Sequence, residues 1–409
     1  MSEWIEKYLI DFSILNYGDN LPTSELKSFG YPVFGANGYV GFSDRYNIEI
    51  KTVLISCRGE NSGVINIVPE KTFVTNNSIP VKLKTDEIDV EFLYYLLQTI
   101  SKSKIVSGSA QPQVTINDLK RVSLKFPSLK AQRKIAKILS TTDTVIEKTQ
   151  ASIAKYKAIK QGMLHDLFTR GIDIKTGKLR PKQENAPELY KESALGWIPK
   201  EWDEKIINQI AKVNGRVGWK GYTVSDLREN GPLALGAMHI DKDNKLDLTN
   251  SIHLSNEKYL ESPEIMVFFG DILIVQRGTI GKIVIIDKEI GDATINPSMV
   301  LLNNITKCNT YIYYQLCSFI GQSQIENLTS QTGVPMISQE QIKNIKLAIP
   351  KEGMETEAIA NRLKSIDNII ANEKSFLLKQ QQIKSGLMSD LLSGKKLVTV
   401  KEELETQTN

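Results

Sequence analysis

The sequence predicts an α+β protein built as a tandem duplication: two similar globular α/β domains separated by two long antiparallel helices that form a coiled coil. Three observations predict it. A long amphipathic segment occurs twice, the globular stretches before its two copies match in the same order, and a Lys-, Pro- and Gly-containing stretch lies between the copies.

The helical segment runs over residues 132–167 and returns over residues 355–391. At an offset of 224 positions, Ile135, Leu139, Ile146, Ile153 and Met163 fall on Ile359, Leu363, Ile370, Leu377 and Leu387. Asp143 falls on Asp367, Ile159 on Ile383, Gly162 on Gly386, and Asp166-Leu167 on Asp390-Leu391. Apolar steps alternating between four and three residues make the seam of a coiled coil. Each helix would be roughly 55 Å long at ~1.5 Å per residue. A charged helix of that length is stable only when its apolar stripe is packed, and the second copy supplies the partner. Gly162 and Gly386 each cost about 1 kcal/mol relative to Ala inside a helix. Their matched placement predicts a close helix–helix approach.

The globular parts repeat as well, and a long internal repeat decides the reading of a whole chain. Residues 3–7 (EWIEK) match 201–205 (EWDEK), and YPVFGANG at 31–38 matches GPLALGAMH at 231–239. VLISCRGENSG at 53–63 matches ILIVQRGTIG at 272–281, with Arg58-Gly59 on Arg277-Gly278. Asn76-Asn77-Ser78 is set on Asn296-Pro297-Ser298, FLYYLL at 92–97 on YIYYQL at 311–316, and PQVTINDLKRVSLKFP at 112–127 on PMISQEQIKNIKLAIP at 335–350. Short β-branched runs ended by Gly, Pro or Asn read as strands over 53–57, 63–68, 81–83, 272–275 and 282–286. Residues 90–101 and 311–322 have helical spacing, with the tyrosine pairs Tyr94-Tyr95 and Tyr313-Tyr314 on a core-facing side. A short helical turn at 117–120 or 339–343 leads into a strand at 122–126 or 345–349, closed by a proline before each long helix.

These boundaries divide the chain into a globular domain at 1–125, a long helix at 126–170, a surface connector at 171–200, a second domain at 201–348, a second helix at 349–395 and a frayed tail at 396–409. At 409 residues, more than one domain is expected. No run approaches ~18 apolar residues, so no membrane span is expected. Three cysteines, odd in number and unevenly spaced, suggest neither disulfides nor zinc, and a reducing cytoplasm is the expected location. The net charge of +4 is uneven: residues 121–200 carry 17 Lys+Arg against 7 Asp+Glu, which holds all of the positive excess. Such a surface is either a solvated helix face or a contact for DNA phosphates or an acidic protein.

No catalytic set and no metal site emerge. GTIGKI at 278–283 lacks phosphate-loop spacing and reads as a turn. No adenosylmethionine glycine loop is present, and Asn296-Pro297-Ser298 lacks the second proline and the aromatic of an amino-methyltransferase motif. His165, His239 and His253 are too scattered for acid–base work, and His165 is expected to cap or pack beside the helix seam.

SALGWIPKEW at 193–202, KFPSLKAQRKIAKIL at 125–139 and PMISQEQIKNIKLAIP at 335–350 resemble, over essentially the full length, the specificity subunit of type I restriction–modification enzymes. Two departures stand out. The first domain begins without its own GWIPKEW, and KEGMETE at 351–357 lacks the usual Glu-Gln or Gln-Arg pair, which affects the entry angle of the second helix. The resemblance implies a non-catalytic chain in which each globular part is a target recognition domain reading one half of a split, asymmetric site on double-stranded DNA. It implies that the paired helices set the spacing and dock two methyltransferase subunits, with restriction subunits joining the complex. No cofactor is expected in this chain; adenosylmethionine, ATP and Mg belong to the partner subunits. Two rivals are a specificity subunit of a related system cutting both sides of its site, and a coiled-coil scaffold without a DNA role.

The halves of a split site normally differ, so base-reading side chains should lie where the copies disagree. The candidates in the first copy are Asn37, Ser43, Arg45, Ser107, Ser109, Gln111 and Gln113; in the second they are Arg216, Trp219, Lys220, Tyr222, His239, Gln331 and Thr332. Asn and Gln pair bidentately with adenine, and Arg with guanine. Arg58 and Arg277 agree between copies, which favours a structural or phosphate role over base reading.

Overall fold

The computed structural model describes residues 4–108, 111–216, 221–329 and 335–399. By compactness the chain divides into Met1–Ala151 with Lys374–Asn409, and Ser152–Glu373. Each unit therefore holds one globular copy together with a part of both long helices. The helices span Leu129–Thr169 and Gly353–Leu391 without a break.

In the first unit a four-stranded antiparallel sheet has the order Ser13–Leu15, Ser78–Leu83, Thr52–Ser56, Ile65–Val68. A three-stranded sheet has the order Tyr39–Ser43, Tyr31–Phe34, Phe73–Val74, with its last pair parallel. The second unit repeats both orders. Its sheets are Lys212–Gly215, Met299–Asn303, Ile272–Val275, Ile283–Ile285, and His253–Leu254, Leu227–Leu235, Ala293–Ile295, again with a parallel last pair.

The continuous apolar runs VLIS and ILIV now have a cause, because both faces of the central strand are covered. Val53 and Ile55 face the cluster that includes Phe92, Leu93 and Leu97, whereas Leu54 faces Phe34, Val68 and Val74. Likewise Ile272 and Ile274 join Tyr311 and Ile312, and Leu273 and Val275 join Leu235 and Ile295.

The ladders also correct one alignment. Ser78 lies opposite Ser56, but Met299, not Ser298, lies opposite Val275. Cys57 N–H donates to the Asn77 carbonyl (2.9 Å) and Gln276 N–H to that of Ser298 (2.8 Å). Asn77 therefore matches Ser298, one position away from the sequence alignment, because hydrogen-bond register overrides residue identity in a loop.

Asp89 caps the helix Val90–Gln98 through the N–H of Phe92. The single helix expected over 311–322 is instead two, Asn309–Cys317 and Phe319–Leu328. Ser318 breaks it by taking an extended conformation and capping the second helix through the N–H of Gly321. A Cβ at Gly321 would meet the carbonyls of Gln315 and Leu316 at 2.5 Å. Capping boxes at Thr115/Asp118 and Ser338/Gln341 open the matching short helices Ile116–Lys120 and Gln339–Lys343. Closing strand pairs, Ile5–Tyr8 with Ser123–Phe126 and Trp202–Ile206 with Lys346–Pro350, precede the long helices.

Within each unit the helix segments run antiparallel. In the first, Ile135, Ala136 and Leu139 share a core with Leu391 and Leu392. In the second, Leu164, Leu167 and Phe168 pack with Ile359, Ala360 and Leu363. All ten expected seam residues are buried or half-buried. The glycines behave otherwise. Gly162 and Gly386 are exposed, and a Cβ on either would meet nothing within 4 Å, so no neighbouring helix approaches there. Gly162→Ala and Gly386→Ala should each stabilise the chain by up to about 1 kcal/mol in denaturant titration. A loss of stability from either would point to a close approach after all.

The connector is more ordered than a surface loop. It forms two hairpins, Ile172–Asp173 with Lys178–Leu179 and Tyr190–Ser193 with Gly196–Pro199, and it buries Arg180. No described helix is long and apolar enough to cross a membrane.

Candidate nucleic-acid interface

Beyond the central strand of the first unit the chain turns through Arg58-Gly59, with Gly59 at φ +74°. Gly59 N–H donates to the Pro112 carbonyl (3.1 Å), and Arg58 bridges to Gln113. Gln113 and Ser107 exchange both backbone hydrogen bonds at 2.9 and 2.8 Å. This stitching brings Arg58, Ser107, Gln111 and Gln113 onto one rim, all exposed. The Asp118 carboxyl behind it is held below its usual range, chiefly by the Thr115 hydroxyl.

Asn37 reaches the same strand end from the turn between Tyr31–Phe34 and Tyr39–Ser43. Ser56 Oγ donates to the Ala36 carbonyl, and Ser78 Oγ to that of Gly35 (2.9 Å). Asn66 Nδ2 lies 3.4 Å from Asn37 Oδ1. The exposed Arg45 lies apart, ion-paired to Glu25 (3.2 Å) and 5.7 Å over the Phe73 ring. Ser43 is buried at the end of its strand, its Oγ accepting from Arg45 N–H, so its side chain is held internally rather than displayed to a base.

The second unit repeats the rim with different side chains. Arg277 is exposed and bridges to Met336, and Ile337 N–H donates to the Gln276 carbonyl (3.0 Å). The Ser298 carbonyl accepts from both Gln276 and Arg277, and Ser298 Oγ accepts from Ala237 N–H (3.2 Å). Met238, 63% exposed, follows directly.

Two expected DNA contacts of this copy are internal instead. Arg216 is buried and donates to the Ile295 carbonyl (2.9 Å) and Thr294 Oγ1 (3.0 Å), bracing the strand Ala293–Ile295. Desolvation by burial lowers its pKa. His239 is also buried. Its Nδ1 accepts from Gly236 N–H (2.9 Å), which leaves Nε2–H to donate to the Asn250 carbonyl (3.1 Å). A buried polar group needs its internal partners, and having them it cannot serve a base. Tyr222 is half-buried, and Ser109, Trp219, Lys220, Gln331 and Thr332 lie outside the described residues. His165 is exposed rather than packed.

A second duplicated constellation joins each globular copy to the helices. Tyr95 OH donates to Asp143 Oδ2 (2.7 Å), and Lys384 Nζ pairs with Asp143 Oδ1 (2.5 Å) while lying 5.6 Å over the Tyr95 ring. Tyr314 OH donates to Asp367 Oδ2 (2.8 Å), and Lys160 pairs with Asp367 Oδ1 (2.6 Å), 5.3 Å over the Tyr314 ring. Burial and the facing carboxylates push both tyrosine hydroxyls well above their usual range. In each unit the aspartate comes from one long helix and the lysine from the other, so the tyrosine docks its domain onto both at once. The tyrosines are more than the core residues expected. The signal that finds this lock is that Asp143/Asp367 and Lys160/Lys384 recur at the same offset of 224.

Glu355, within the atypical KEGMETE stretch, anchors the connector. Its carboxylate is buried and takes both terminal nitrogens of Arg180 (2.5 and 3.0 Å) and the Ile172 N–H (2.8 Å).

Among the described residues no group of three or more His, Cys, Asp or Glu side chains is placed to hold a metal. The arrangement places exposed arginines, amides and thioethers on loops stitched together by backbone hydrogen bonds.

Comparison with known proteins agrees with this geometry. The family model of the type I restriction modification DNA specificity domain matches residues 1–156 and 199–382. The chain is 26% identical over 353 residues to the type I restriction enzyme MjaVIII specificity subunit of Methanocaldococcus jannaschii, covering 84% of this chain and 78% of that one. It is 24% identical over 396 residues to a putative type I restriction enzyme specificity subunit of Haemophilus influenzae, covering 93% and 92%. The crystal structure of the type I restriction–modification S subunit from M. genitalium superposes with a TM-score of 0.65 at 18% identity, over 98% of this chain and 97% of that one.

Proposed function

Because the chain belongs to the type I restriction–modification DNA specificity family, we propose that it reads a bipartite, asymmetric site on double-stranded DNA, one half-site per globular domain, without catalysing a reaction itself. The observation that carries this reading is the duplicated rim. Both copies place an exposed Arg-Gly turn at the end of the central strand and bridge it to the same loop, yet the flanking side chains differ. A shared backbone frame with divergent exposed side chains is what two readers of unlike half-sites require, since phosphate contacts position and base contacts specify.

The two long helices would set the spacing of the half-sites and dock two methyltransferase subunits, through which restriction subunits join. The internal twofold repetition suits two similar partners on equivalent surfaces. Adenosylmethionine, ATP and Mg would then reside on those partners, and the complex would work in the cytoplasm. Near-neutral globular domains fit a reader whose partners supply most of the phosphate neutralisation.

Co-expression with the cognate methyltransferase in cells lacking adenine methylation, followed by methylation mapping with long reads, tests this. One bipartite motif with methyladenine in both halves is expected, and exchanging residues 1–125 for those of another family member should change one half only. A stable complex that yields no motif would overturn the reading in favour of a scaffold.

A further inference from the structure

The two rims differ in a consistent chemical sense. The parallel strand pairs match Phe34 with Leu235, since Thr75 N–H donates to the first carbonyl and Asn296 N–H to the second. Three residues on, Asn37 of the first copy therefore occupies the place of Met238 in the second. On the other side of the conserved arginine, the bridges Arg58 to Gln113 and Arg277 to Met336 make Gln113 and Met336 equivalent. The first rim reads amide, arginine, amide; the second reads thioether, arginine, thioether.

Both methionines are displayed rather than packed in a core, with Met238 63% and Met336 36% exposed. Their backbones are held. Ala237, beside Met238, donates to Ser298 Oγ, the Ser298 carbonyl accepts from Arg277, and Met336 bridges to Arg277. A side-chain amide offers the paired donor and acceptor that match an adenine edge. A thioether sulfur is only a weak acceptor and cannot make that pattern. It is apolar, polarisable and adaptable in shape. The one apolar group on a base edge in the major groove is the thymine C5-methyl.

Resting on the proposed DNA-reading role, we propose that Met238 and Met336 determine specificity in the second domain by contacting thymine methyl groups, at the places where Asn37 and Gln113 of the first domain pair with adenine edges. The second half-site then carries thymines where the first carries adenines on the strand each rim reads.

The test uses the full chain in complex with its methyltransferase subunits and duplexes in which single thymines of the second half-site are replaced by uracil. That replacement removes only the C5-methyl. Affinity should fall about fourfold for each methyl contacted, the equivalent of one buried methylene at about 0.8 kcal/mol. In the variant carrying Met238→Gln and Met336→Gln that sensitivity should vanish, and the methylated motif should change in its second half only. Asn37→Met with Gln113→Met should change the first half only. Uracil tolerance at every thymine of the second half-site in the wild-type complex would overturn the proposal, and this arm needs no variant to fold. An unchanged motif in the Gln variants would overturn it too. Absence of any motif from the wild-type complex would instead count against the DNA-reading role itself.

Discussion

Glu355→Ala should destabilise the second unit by about 3–5 kcal/mol, the cost of leaving one partner of a buried ion pair uncompensated. Arg180 is 8% exposed, and its guanidinium would lose both bonds to Glu355. Burial alone disfavours the Arg180 charge, but the Glu355 hydrogen bonds and attraction more than offset this and hold its pKa above the usual range. It would keep the Arg170 carbonyl (3.3 Å) and Glu201 (2.7 Å), but the first carries no charge and the second is mostly exposed, so neither compensates. The Ile172 N–H would also lose its acceptor.

The neighbouring backbone leaves no room to adjust. Gly171 ends the first long helix at φ +65°, and a Cβ there would fall under 3.0 Å from Glu355, Arg180 and the Trp202 ring. Glu355→Gln keeps an acceptor for Ile172 while removing the charge, so it should cost less than Glu355→Ala. Denaturant titration followed by tryptophan fluorescence separates the two. If Glu355→Ala shifted stability by under ~1 kcal/mol, the pair would be no more than an exposed surface bridge.

The second large effect is expected at the helix lock. Asp367→Ala would strand both the Tyr314 hydroxyl and the Lys160 ammonium, whose side chain is only 17% exposed. A hydrogen bond to a charged group contributes ~1.5–3 kcal/mol, and the unpaired lysine adds to that loss, for a total of about 2–4 kcal/mol. Lys245, 4.0 Å from Asp367 and half-exposed, loses only a weak surface contact in this variant. Tyr314→Phe should cost ~1.5–3 kcal/mol by removing the hydroxyl alone. A double-mutant cycle between Asp367→Ala and Lys160→Met should return a coupling of about 1–3 kcal/mol, as contacting charged residues do. Strict additivity would sink the lock. Asp143 and Lys384 make the same arrangement around Tyr95, so Asp143→Ala should repeat the result in the first unit.

These locks show how far the chain could be read in advance. The offset of 224 aligns Asp143 with Asp367, and helical spacing turns the tyrosines toward the core. Spacing says that Tyr95 turns inward; it does not say that a carboxylate from residue 143 waits there. The same gap explains Arg216, His239 and Ser43. Each is a polar residue at a place where the copies differ, which is the pattern of a base reader and equally that of a buried brace. Met238 and Met336 show the converse, since an apolar residue in a loop gives no sign of display until the rim around it is built.

The sequence by itself determined the duplication, the two long helices, the central strands and the Arg-Gly turns. These depend on local periodicity and on identities repeated along one chain. Only the tertiary structure decided which polar side chains are spent internally, where Glu355 anchors the connector, that Ser318 splits a helix, and which loop residues share a rim with Arg58 or Arg277. Glu201 and Glu355 lie 21 and 175 positions from Arg180, Ile295 lies 79 from Arg216, and Lys384 lies 241 from Asp143. A polar group's fate is set by whether burial supplies such a partner, and no pattern along the chain encodes that.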